Sequence, residues 1–146
     1  MAITQAIANA FKKQLLEGDA NFKSSGGDVF KLALYTSSAT LNSATTSFTT
    51  TNEVSNTGTY ASGGDPLAGQ NTSIASGVAI VDFADLSFTG VTLTARGAMI
   101  YNTSSAVTNA AVAILDFGGD KTATSGTFTI QFPAFTTAAA ILRISG

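Results

Sequence analysis

The sequence predicts a mainly β protein: an antiparallel β-sandwich of the jelly-roll kind carrying one N-terminal amphipathic helix. Three observations lead there. From Thr72 onward the chain is a series of short apolar or alternating segments separated by Gly, Asp, Asn and Pro, at the spacing of about ten residues that sandwiches show. No helical pattern interrupts those segments, which disfavours the strand–helix alternation of parallel α/β folds. A chain of 146 residues that is 45% hydrophobic suits one domain with its own core, so residues 1–146 read as a single domain without internal repeats.

The elements follow in order. Residues 1–18 read as the helix, with Ile3, Ile7, Phe11 and Leu15 at four-residue spacing and Gln5, Asn9, Lys12 and Lys13 largely elsewhere. Thr4 suits its start and Gly18 its end. So short a helix is marginal in water and needs a surface, either its own sheet or a neighbouring subunit. After a polar turn over 19–28, Val29–Tyr35 reads as a strand with Phe30, Leu32 and Leu34 on one face and Lys31, Ala33 and Tyr35 on the other. Residues 36–70 form a long Ser/Thr-rich loop, too polar for a core, in which Leu41, Phe48, Val54 and Tyr60 are scattered. Gly63-Gly64-Asp65-Pro66 marks a turn inside it.

Strands are then expected at 78–83, 86–88, 91–101, 110–117, 127–132 and 139–144. The apolar parity of 91–101 changes around Arg96-Gly97, which indicates a bulge. The run 110–117 is nearly all apolar and reads as a central buried strand. Gly118-Gly119-Asp120-Lys121 reads as a turn, and Pro133 ends the strand before it or marks an edge.

Composition narrows function. Charged residues are 11% of the chain, against about 25% in an ordinary soluble domain. Either neighbours cover much of the surface, or hydroxyls wet it, since Ser and Thr are about a quarter of the residues; composition leaves both open. The net charge is −2 and the seven basic residues are scattered, only Lys12 and Lys13 being adjacent. Phosphate binding needs clustered cations, so no nucleic-acid partner is expected. The chain has neither Cys nor His, which removes disulfides, thiolate and imidazole metal sites and the commonest general base. No cofactor and no enzymatic activity are expected. Lys12 and Lys13 follow the apolar start instead of preceding it, unlike a signal peptide. No apolar run nears the ~20 residues of a bilayer span. Synthesis in the cytoplasm and no membrane partner are the expectation.

Two carboxylate pairs are close in sequence, Asp82 with Asp85 and Asp116 with Asp120. Glycoside hydrolysis needs such a pair across a cleft, but solvated strand ends and turns that bond their own backbone use the same residues, and there is no Trp to stack on a sugar. A strand end or turn is the preferred reading. Asp116-Phe117-Gly118 matches a kinase tripeptide without the other kinase motifs. Arg96 stands inside a long apolar strand; it is either an outward edge residue or the partner of a carboxylate, in a neighbouring subunit or at Asp82 or Asp116.

Several blocks occur in a fixed order: Ala10-Phe11-Lys12, Phe30-Lys31-Leu32-Ala33-Leu34-Tyr35-Thr36-Ser37-Ser38, Thr50-Thr51-Asn52-Glu53-Val54, Thr94-Ala95-Arg96-Gly97-Ala98-Met99-Ile100-Tyr101-Asn102, Leu115-Asp116-Phe117-Gly118-Gly119-Asp120-Lys121 and Phe128-Thr129-Ile130-Gln131-Phe132-Pro133. Together they span almost the whole chain, and their order resembles a family of small virion structural proteins of tailed bacteriophages. The resemblance implies a place on the particle. Foremost is a capsid decoration or cement protein, a homotrimer on the virion surface that bridges capsomers of the major capsid protein. A tail tube, connector or tip protein is the alternative, and a carbohydrate-binding module a third. On the cement reading Ile3, Ile7, Phe11 and Leu15 form the anchoring face, Arg96 an interface ion pair, and residues 36–70 the arm that reaches a neighbour or stands outward.

Overall fold

The computed structural model describes residues 2–146. It is mainly β, with antiparallel sheets and one short helix. The elements are β1 (Ala6–Ile7), α1 (Asn9–Glu17), β2 (Phe30–Tyr35), β3 (Asp65–Pro66), β4 (Asn71–Ala75), β5 (Val78–Asp82), β6 (Leu86–Asn102), β7 (Ala110–Ile130) and β8 (Leu142–Ile144). One sheet has the order β1-β7-β6-β2-β3, the other β4-β5-β8.

The helix is shorter than its periodicity suggests. Met1 lies outside the described residues. Ile3 makes a bridge with Leu41, and Ala6 and Ile7 pair with Ile114 and Ala113 of β7. The helix starts only after Ala8, which is extended, and no side chain caps it, so Thr4 is not the cap. Its end is as expected. Gly18 turns left-handed at φ 77°, its N–H donates to the Leu15 carbonyl, and the Asp19 N–H reaches back to Gln14. That double closure satisfies carbonyls the last turn would leave bare, and glycine adopts it without a Cβ penalty.

The expected strands 86–88 and 91–101 are one 17-residue strand, and 110–117 and 127–132 are one 21-residue strand. The Gly118–Lys121 stretch is therefore not a hairpin turn. Gly118 has φ 80°, and such a residue lets an extended chain bend and continue. Register shifts fall between Phe88 and Val91, between Val91 and Leu93, between Ala95 and Gly97, and between Ile100 and Tyr101; the third is the bulge read from the parity change at Arg96-Gly97. The final strand is three residues, Leu142–Ile144, since Thr136 to Ala140 close a hydrogen-bonded turn first.

The large sheet is covered on both faces at its centre. Residues opposite one another in register share a face, so Phe30, Leu32, Leu34, Ala98, Ile100 and Ala113 line one side. Phe22 stacks on Phe30 with ring centroids 4.3 Å apart, and Phe11 and Phe83 meet Phe22 edge-on. The other side carries Ala33, Tyr35, Gly97, Met99 and Tyr101. This explains why β2 is buried almost throughout.

What covers that second side is the Ser/Thr-rich stretch. Leu41, Val54 and Tyr60 are buried, Phe48 stacks on Tyr101 at 4.7 Å, and Ile3 lies over Gly97. The stretch stays irregular, apart from β3, yet its few large apolar residues sink into the core. The expectation that it is too polar for a core is thereby corrected. Its hydroxyls and amides serve the backbone instead: Thr57 Oγ1 accepts from Thr92 N–H and Thr59 Oγ1 from Thr89 N–H.

Candidate interaction surface

The two sheets and α1 leave an apolar groove between them. One wall is Ile7 of β1 with Phe11, Leu15 and Leu16 of α1; the sheet wall includes Val81 and Ile144. The register of β4-β5-β8 shows how it is built. Thr72, Val81 and Leu142 stand opposite one another, and Ile74, Ala79 and Ile144 form the next row on the same face. The inner row reaches the core through Leu142 and Val81. The outer row does not. Ile74 is 72% exposed, Ile144 59%, and across the gap Leu16 is 90% exposed. The groove holds about 690 Å³. A polar hollow beside Asp28 holds about 520 Å³, and a hollow beside β7, lined in part by Phe117, Phe128 and Ile141, about 500 Å³.

Charge around the groove is one-sided. Lys12, Lys23 and Arg143 border it and no carboxylate does. Lys12 Nζ donates to Asn9 Oδ1 at 3.2 Å. Arg143 Nη1 donates to the carbonyls of Ala138, at 2.7 Å, and Thr137. Among the described residues the ion pairs are Lys13–Glu17 and Arg96–Asp116, so the three bordering cations face no anion.

Of the five residues singled out from sequence, Ile7, Phe11 and Leu15 come together here. Ile3 does not: it is buried on the far side of the large sheet, against Gly97 and Leu41. Arg96 lies elsewhere too, its Nε 3.2 Å from Asp116 Oδ1 within the same chain. Of the partners considered for Arg96, Asp116 is the one the structure provides. Leu16, Ile74 and Ile144 were missed. Leu16 falls off the four-residue stripe, and Ile74 sits alone in a polar run. Their signal was isolation: a large aliphatic residue where the pattern gives it nothing to pack on.

The remaining polar groups are tied into the scaffold. Glu53 accepts from Tyr60 Oη at 2.7 Å, Ser62 Oγ at 2.8 Å and Gly63 N–H at 2.6 Å. Tyr60 Oη in turn accepts from the Leu34 N–H at 2.8 Å, and Tyr101 Oη donates to the Gly63 carbonyl at 2.6 Å. Burial, reinforced by Glu53, drives the Tyr60 and Tyr35 hydroxyls far above the usual phenol range and Tyr101 up to about 12. Asp116 is held below the usual carboxylate range, first by the Gly118 N–H and then by Arg96. Asp85 accepts from the Phe132 N–H at 2.8 Å. Asp116 bonds the backbone of its own turn, as the sequence reading expects, whereas Asp85 binds a strand end 47 residues away. Among the described residues no group of three or more Asp or Glu is placed to hold a metal ion, and no helix is long and apolar enough to cross a membrane.

No family model, no curated protein and no solved structure matches the chain.

Proposed function

We propose that this chain is a structural subunit of a tailed-bacteriophage particle, and within it a capsid decoration protein that bridges neighbouring capsomers. The observation that carries the assembly reading is the groove's apolar lining, where Leu16 and Ile144 are mostly exposed, with Ile74 exposed beside them on the same sheet face. Exposed apolar residues gathered around a concavity favour contact with another molecule. The low charge of the chain supports the same reading. The phage assignment rests on the resemblance of the sequence blocks. The fold reading accompanies it: two antiparallel sheets, with Val81 and Leu142 of the smaller packed on the core of the larger, support a sandwich of the jelly-roll kind.

On this reading the protein turns over no substrate and takes no cofactor. It assembles as a homotrimer on the virion surface, holds the major capsid protein, and is made in the host cytoplasm. The test is a reconstruction of phage particles that carry this chain. Trimeric density at capsid lattice positions is expected. Hexameric rings along the tail would move the assignment to a tail component, and absence of the chain from purified particles would overturn it.

A further inference from the structure

We propose that the groove between α1 and the β4-β5-β8 sheet seats an acidic amphipathic helix contributed by a different chain. The inference rests on the reading of this protein as a subunit of an assembly and names the chemistry of its partner.

The walls supply the apolar half of that recognition. Leu15, Leu16 and Ile7 face Val81 and Ile144 across the gap, and an incoming helix would present apolar residues at i, i+3, i+4 and i+7 to such a trough. The border supplies the other half. In a chain of net charge −2, three of its seven cations, Lys12, Lys23 and Arg143, line this groove. Arg143 is held in place by the Thr137 and Ala138 carbonyls, which are neutral, so its charge is positioned without being cancelled. Carboxylates on the flanks of a bound helix would meet these cations, and such complementarity selects the partner and speeds encounter.

The same charges argue against two other occupants. At a two-fold contact between copies the same patch meets itself, which would set cations against cations with no carboxylate in the lining to offset them, and at the head-to-tail contact of a trimer this chain's helix α1, with Lys12 and Lys13 against Glu17, would not supply an acidic face. A single lipid head group needs donors converging on one point. These three come from α1, from the 18–29 connection and from β8, and they share no acceptor.

The test is fluorescence anisotropy of the full chain with a labelled synthetic helix of about 18 residues, about five turns, bearing Leu on one face and Glu and Ala on the other. Saturable binding that weakens as salt rises is expected. The double variant Lys12→Glu/Lys23→Glu should weaken it about tenfold or more, and so should Leu16→Ser. All three residues are exposed, so far-UV circular dichroism should be unchanged. The proposal fails if the peptide does not saturate, if a Lys-for-Glu version binds as well, or if phosphatidylglycerol vesicles compete it away. Chain on the particle with the groove empty sinks this inference alone. Charge-dependent peptide binding by a chain absent from particles sinks the phage reading alone.

Discussion

The β6–β7 hairpin runs through two environments. In its closed half, Gly97–Asn102 against Ala110–Leu115, every residue is buried. In its open half, Leu86–Arg96 against Asp116–Ile130, burial alternates along β6: Phe88, Val91, Leu93 and Ala95 point inward while Ser87, Thr89, Thr92 and Thr94 face solvent. The two strands stay paired through both halves, with shifts of register in each. Neighbours make the difference. The closed half lies between β1 and β2 and is covered on both faces, whereas the open half has its β6 edge met by residues 57–59 and its outward face left to water. Hydroxyls on that face bond across the strands, Ser87 to Thr129 at 2.8 Å and Thr94 to Thr122 at 2.9 Å. Burial is thus decided by what the rest of the chain lays on each face.

The contrast can be broken by mutation. Ile114→Ala, in the closed half, should cost about 2–5 kcal/mol in chemical denaturation, because the cavity left there cannot collapse onto solvent. Gly97→Val, at the junction, should cost about 1–3 kcal/mol, since a Cβ there would run into the Leu115 carbonyl oxygen and Ile3. A cost near zero for either would remove the distinction between the halves.

Alkali tests the same closed half through Tyr101. Its hydroxyl ionises near 12 in the folded chain, against about 10 unfolded. A folded pKa above the unfolded one means full stability below about pH 10 and loss as pH rises from there through 12. Phenolate absorbance should therefore appear together with unfolding; a phenolate signal at pH 10–11 from a folded chain would contradict the burial of this ring.

The open half should respond weakly. Arg96→Met should cost under about 1 kcal/mol, as part-exposed ion pairs do. Asp116 is depressed, so its contribution is present above about pH 4 and is lost as pH falls through the lowered pKa. Thr94→Ala should stay within about 0.5 kcal/mol, measured by the same denaturation.

The candidate surface was half legible. Ile7, Phe11 and Leu15 were found because they share a stripe, and a stripe of one spacing is visible without knowing the partner. Ile3 fits that spacing but ends on the opposite face of the large sheet, because the chain passes around the sheet edge at β1 between Ile3 and Phe11. Spacing records that a residue is apolar; it does not record which layer buries it. The sheet wall was hidden for a related reason. Ile74 and Ile144 become neighbours only through the pairing of β4 and β8 with β5, which joins segments some seventy residues apart.

The sequence by itself determined the β class, a strand read over 29–35 and found at 30–35, the bulge beside Arg96, the buried run after Asn109 and the glycine that ends the helix. Each depends on periodicity or on backbone freedom within a few residues. Only the tertiary structure decided that Gly118–Lys121 continues a strand, that the Ser/Thr-rich stretch roofs the second face of the sheet, and where a groove remains. Those outcomes depend on contacts between distant segments, whose free energy is shared between both partners and is written in neither one alone.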